Sequence, residues 1–203
     1  MKVLKYVKEI QMPTSAETYV ELLNEMRVHY ENRLQGSATG PASPANSAAQ
    51  KLFSDNILIN RASSDPQIRE LQEYAERMGK DLAYRSRNGI RDATSVFEKS
   101  GHDGISAYKL RLQKLSDRDR AAVNEQNDHI FDKAIELGNR YPSKQSEIIG
   151  TVQIASDCFQ KLYQEISSFY VEIENNSVTY QPEIWKQIDN KFDSIAKHIS
   201  QWF

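Results

Sequence analysis

Three short groupings in this 203-residue chain have residue types and spacings suited to chemistry. Ser194 and Lys197, in the run SIAK, stand one helical turn apart. At that spacing a lysine amine can take the proton of a serine hydroxyl and turn it into a nucleophile. Glu125, His129 and Asp132 fall on one helical face, so two or three ligands could converge there on a divalent metal. His102 and Asp103, between Gly101 and Gly104, offer a base held by a carboxylate on a permissive loop. Each set has a plainer reading. SIAK has no companion motif, and Ser194 adjoins the core-facing Ile195; three ligands on one helix more often make a solvated, charged face; GHDG closes a helix with a turn. Phosphate-binding glycine loops, dinucleotide fingerprints, nucleophile elbows and paired cysteines do not occur. The expectation is therefore a protein without catalytic residues, metal or cofactor, with a small helical enzyme centred near His129 as an alternative.

Composition points the same way. The chain carries 26 basic and 28 acidic residues, a formal charge of -2, and their signs alternate along its length. Arg85, Arg87, Arg91, Lys109, Arg111, Lys114, Arg118 and Arg120 make the middle basic, yet Asp92, Glu98, Asp103, Asp117 and Asp119 lie among them. A polyanion needs an uninterrupted positive surface, so nucleic acid is not the expected partner. The single cysteine, Cys158, excludes an internal disulfide framework and a thiolate zinc cluster. Beside Phe159 it reads as a small core residue. Lys2, Lys5 and Lys8 interrupt the opening MKVLKYVKEIQMP, which does not read as a secretory leader. No run approaches the roughly 20 apolar residues that span a bilayer, and the sequence leaves contact with a membrane surface open. The expected course is synthesis in the cytoplasm and, if the chain is exported, exit without a cleaved signal. The sequon at Asn175 matters only in a glycosylating compartment.

The elements that position these residues are helices. TSAE opens the first, with Thr14 as cap and Glu17 reaching back, and Tyr19, Leu22, Leu23, Met26, Tyr30 and Leu34 recur at three- and four-residue steps to a stop at Gly36. GSATGPASPANSAA has almost nothing to bury and reads as a flexible linker. QKLFSDNILINRA suits a short helix running into an extended piece. Ser64 or Asp65 caps the next helix, and Pro66 occupies its first turn. Its expected seam is Ile68, Leu71, Ala75, Met78 and Leu82, continuing through Ser86, Gly89, Ala93 and Val96, small residues that let another helix come close. Ile105, Tyr108, Leu112 and Leu115 begin the following stripe. DRDR after Ser116 is either a new cap or a solvated face, and Val123, Ile130, Phe131, Ala134 and Leu137 carry the stripe to GNRYP. From a cap at Ser143, Ile148, Val152, Ala155, Phe159, Leu162, Ile166, Phe169 and Ile173 keep a strict heptad spacing. After ENNSVTYQ and Pro182, Ile184, Ile188, Phe192, Ile195, Ile199 and Trp202 face one side of the last helix.

The last quarter carries a resemblance. The heptad helix with CFQKLYQEISSFYVEIE, the break NNSVTY and the amphipathic EIWKQIDNKFDSIAKHI together resemble a segment of the hydrophilic needle-tip proteins of type III secretion systems, the invasion-plasmid-antigen-D-like family. The resemblance implies a tip, translocator or related secreted protein of a bacterial injection apparatus. That family continues into a second long coiled-coil helix. Here the chain stops at Phe203, so the heptad helix takes its partner from Ile68–Val96 or from another subunit.

The expected fold is mainly α: an elongated antiparallel bundle with coiled-coil-like long helices and at most a small ribbon pairing SVTY with NILIN. Residues 1–62 form an N-terminal helix and flexible linker, and residues 63–203 the bundle, with the helix from Pro66 antiparallel to the helix from Ser143. The expected function is binding or assembly through apolar helix seams, as a secreted component or effector of a type III system. A cytosolic adaptor or chaperone-like module, with Leu34 and Leu58 bound to the body or to a client, is the alternative. The expected partner is a protein or a second copy, met through Trp185, Phe192, Trp202, Phe203, Ile166 and Phe169.

Overall fold

The computed structural model describes residues 16–36, 65–176 and 183–202. These residues form five α-helices and no strand: α1 (Ala16–Leu34), α2 (Pro66–Ser100), α3 (Ile105–Arg140), α4 (Gln145–Asn176) and α5 (Ile184–Trp202). At about 1.5 Å per residue the three long helices are each roughly 50 Å long, so the molecule is an elongated helical bundle. The proposed ribbon between Asn56–Asn60 and Ser177–Tyr180 lies outside the described residues, as do the linker before Ser64 and the cap at Thr14.

Helix ends follow local chemistry. Gly36 takes φ +75, the left-handed conformation that ends a helix, and its N–H bonds the Arg33 carbonyl at 3.1 Å. Asp65 caps α2: its Oδ1 accepts from the Gln67 N–H at 3.0 Å, and its Oδ2 holds Lys144 Nζ at 2.6 Å. One carboxylate thus closes a helix start and ties it to the α3–α4 turn. Asp65→Ala should fray the first turn of α2, visible as faster amide exchange at Gln67 and Ile68 with the middle of α2 unchanged. Ser143 does not cap α4. It sits in a 3-10 turn, Pro142–Lys144, closed by the Lys144 N–H on the Tyr141 carbonyl at 2.9 Å, and α4 begins at Gln145. DRDR lies inside an unbroken α3.

Two short turns, Gly101–Gly104 and Pro142–Lys144, reverse the chain between α2 and α3 and between α3 and α4. α2 and α4 are therefore parallel to each other, not antiparallel, and α3 runs against both. Gly79 of α2 accordingly faces Phe159 and Leu162 of α4.

The seam of α2 also differs from the heptad expectation. Its buried residues repeat every eleven positions: Ile68, Gly79, Ile90; Leu71, Leu82, Ala93; Ala75, Ser86, Phe97. Val96 is left 39 % exposed while Phe97 enters the core. The stripe of α3 has the same period, with Tyr108, Asp119, Ile130 and Leu112, Val123, Ala134. Eleven residues make three turns at 3.67 per turn, close to an unstrained helix, whereas a seven-residue repeat drifts by about 20° each time on a straight one. α4 keeps the heptad: all eight expected seam residues, Ile148 to Ile173, are buried. The expected close approach along the small residues of α2 is found at Gly89, where a Cβ would come within 2.7 Å of Leu115 and 3.0 Å of Arg118.

α1 is not an arm apart from a 63–203 bundle. Tyr19, Leu22, Leu23, Met26 and Tyr30 are buried in the same core as the long helices, and α1 lies along the groove between α3 and α4. Its buried stripe is too apolar to remain in water. α5 packs on α2 and α4 through Ile184, Ile188, Phe192, Ile195 and Ile199.

Candidate functional site

The sequence-derived chemical groupings do not converge on a pocket. Ser194 and Lys197 both lie exposed. His129 Nε2 stands 3.8 Å from Glu125 Oε1 on an open face, while Asp132 is turned to Arg27 of α1. Among the described residues no group of three or more His, Cys, Asp and Glu is placed to hold a metal ion. Asp103 is exposed, and the His102 side chain lies outside the described residues.

The proposed partner residues divide. Ile166, Phe169 and Phe192 are buried in the chain's own core, and the Phe169 and Phe192 rings meet edge-on at 6.1 Å. The heptad seam thus finds its partners within the chain, from α2, α3 and α5. Trp185 is half-buried: its indole N–H donates to Glu98 Oε1 at 2.6 Å, and the Arg91 guanidinium lies 5.3 Å over its ring. Phe203 and the Trp202 side chain lie outside the described residues.

Trp185 belongs to a polar latch between α5 and α2. Asp189 Oδ1 accepts from Arg87 at 2.8 Å and Arg91 at 2.5 Å, and Arg87 also reaches Asp193 at 3.2 Å. Hydrogen bonds from Arg87 and then Arg91 hold the Asp189 carboxyl below its usual range. A lowered folded-state value means that this contribution is complete above the ordinary aspartate range near 4 and is lost as pH falls through the depressed value. Trp185 fluorescence should therefore report a loosening of α5 only in acid. Asp189→Asn should remove that acid transition.

The most unusual arrangement is deeper, where α2, α3 and α4 meet. Asp119 is 1 % exposed. Its Oδ2 accepts from the Tyr170 hydroxyl at 2.6 Å, and its Oδ1 takes Arg118 Nε at 3.1 Å and Nη2 at 2.8 Å. Arg118 Nη2 also reaches the Arg85 carbonyl at 3.4 Å. Ser86, fully buried, is within reach of the same tyrosine hydroxyl, and its Oγ donates to the Leu82 carbonyl at 2.9 Å. Burial, then the Asp119 charge, push Tyr170 well above the ordinary tyrosine range and keep it a donor. Both carboxylate oxygens are therefore satisfied, Oδ2 by Tyr170 across the interface on α4 and Oδ1 by the adjacent Arg118 of the same helix. The sequence reading passed over Asp119 because it sits in DRDR. Its signal was position: it lies four residues from Leu115 and from Val123, on the apolar stripe.

Further polar contacts stitch the same interfaces. Between α3 and α4, Arg120 Nε donates to the Tyr163 hydroxyl at 3.0 Å, and Ser116 lies 3.4 Å from Ser167. Under α1, the Tyr19 hydroxyl donates to the Ala134 carbonyl at 2.7 Å, the Tyr30 hydroxyl to the Gln153 carbonyl at 3.3 Å, and Arg33 to Asp157 at 2.8 Å. Burial raises Tyr19, and burial followed by the Asp157 charge raises Tyr30. A tyrosine raised on folding stabilises fully below its unfolded value near 10 and loses that contribution above it. Alkaline titration of phenolate absorbance should leave Tyr19, Tyr30 and Tyr170 silent until the bundle unfolds. Ionisation of every tyrosine in the still-helical protein would contradict the burial.

The arrangement can hold four helices in register, and among the described residues Asp119 and Tyr170 are closed off from solvent. In comparisons with known proteins, no family model, no curated protein and no solved structure matches the chain.

Proposed function

We propose that the chain is a non-catalytic helical binding or assembly protein that acts through contacts along its helix faces. The observation that carries this reading is where the reactive groups lie: Asp119, Asp157 and Asp189 each join one helix to another through tyrosine or arginine. Such networks fix helices against one another and leave the outer faces for recognition. Those faces expose large apolar side chains on four helices: Val28 on α1, Tyr84 on α2, Leu110 on α3 and Val171 on α4. The likeness of the α4–α5 region to needle-tip proteins suggests the setting, a secreted component or effector of a bacterial type III secretion system.

Light scattering of the purified chain, with and without Trp202 and Phe203, tests the assembly reading. The expected result is a concentration-dependent mass above the 23.3 kDa monomer that falls on truncation. An unchanged monomer in both cases overturns assembly through this terminus. Export is tested separately, by comparing secretion of the full chain from cells with and without a working injection apparatus. An adaptor or chaperone-like module is the second reading, favoured by Leu34, which packs partly buried against the body.

A further inference from the structure

One stretch of the α3–α4 interface under α1 contains polar groups that the protein itself leaves unbonded. Both polar atoms of Asn127 and the hydroxyl of Ser156 are sealed from solvent and meet no protein hydrogen-bond partner, and both residues are fully buried. The helix register places them opposite each other. Lys109 pairs with Glu174, Ser116 with Ser167, and Arg120 with Tyr163 across the antiparallel helices. Seven residues forward on α3 from Arg120 and seven back on α4 from Tyr163 lead to Asn127 and Ser156.

α1 is the cover. Tyr30 bonds α4 on both sides of Ser156, through the Gln153 carbonyl at 3.3 Å and Gln160 Nε2 at 3.3 Å. On α3, Arg27 pairs with Asp128 and the Tyr30 ring lies 6.3 Å from Phe131, the positions one residue and one helical turn beyond Asn127. An amide offers two donors and an acceptor, and a hydroxyl offers one donor and two lone pairs. Groups of this kind are rarely left unmade in an interior, and the ligand that both donates and accepts in a close-packed interface is water.

We infer that Asn127 and Ser156 form an internal water site between α3 and α4, closed by α1. Water held there accepts from Asn127 Nδ2, donates to Asn127 Oδ1 and bridges to Ser156 Oγ. It can leave only when α1 lifts, so its residence time reports the opening of that helix. The site is independent of the assembly reading.

The test is magnetization transfer between water and the Asn127 side-chain amide in the full-length protein. A direct cross-relaxation signal, of the sign that marks water held longer than molecular tumbling, is the expected result. Asn127→Leu combined with Ser156→Ala should abolish the matching water signal at neighbouring backbone amides, with stability unchanged or raised, because the polar demand has been removed from both sides. The absence of any water signal at Asn127 in the natural chain overturns the site. So does a double variant that folds but whose α1 amides exchange about tenfold faster or more, since the two side chains would then be bonding within the protein. If the double variant does not fold, the measurement on the natural chain decides alone.

Discussion

Replacing Asp119 by alanine is expected to destabilise the bundle by about 3 kcal/mol, because it strands a buried donor and not only a charge pair. Tyr170 is 2 % exposed and directs its hydroxyl at the carboxylate from 2.6 Å. Without Asp119 that hydroxyl keeps at most the nearby Ser86. Arg118 is about half exposed, so it can turn to water when its partner is gone. The loss should therefore depend on Tyr170. Tyr170→Phe in the Asp119→Ala background should recover a good part of the stability, since both ends of the bond are then apolar. Urea unfolding of the two single variants and the double variant measures this as a cycle. Strictly additive losses would show that the 2.6 Å bond contributes nothing.

Gly138→Ala is expected to cost about 3 kcal/mol, at the upper end of what overpacking usually costs, and to act on α1 rather than on α3, where the substitution sits. A Cβ at Gly138 would stand 2.3 Å from the Tyr19 ring and its hydroxyl. The obstacle is a rigid ring held by its bond to the Ala134 carbonyl, so it cannot bend aside as the end of a flexible chain would. Tyr19 must leave its seat, and Leu22 and Leu23 follow it toward water. In an exposed helix the same change would stabilise, because alanine favours helix over glycine by roughly 1 kcal/mol. Amide exchange should accelerate in α1 while α2 and α4 keep their protection. Tyr19→Ala combined with Gly138→Ala should be less damaging than the two single losses added together. A Gly138→Ala protein as stable as the natural one would place Tyr19 elsewhere.

Much of this architecture is legible in the residues. The heptad run of α4 and the apolar stripe of α5 are long and unbroken, and α1 stops at Gly36 because only a left-handed residue serves there. The seam of α2 misleads for a definable reason. Steps of three and four fit both a seven- and an eleven-residue repeat as far as Ala75, and the two part only at Met78 against Gly79. A glycine does not announce itself as core. Asp119 is hidden by its charge, since an acidic residue in DRDR looks solvated unless the stripe is measured across it. Gly138 looks like a helix stop in GNRYP, because the reason for a glycine there lies on α1, more than a hundred residues away. The docking of α1 could not be read from the small-residue segment that follows it, which describes a connection and not what the helix touches.

The eleven-residue period also determines how this molecule could change in size. Buried residues return at that step in α2, in α3 and, alongside its heptad seam, in α4, where Ile148, Phe159 and Tyr170 and then Thr151, Leu162 and Ile173 follow it. A block of eleven residues added at one level to all three helices would return every face to its place, whereas a block of seven would turn the faces of α2 and α3 out of the core. The rod can therefore lengthen only in steps of about 16 Å, taken by its three shafts together. Single insertions should be tolerated in its connections and rejected in its shafts.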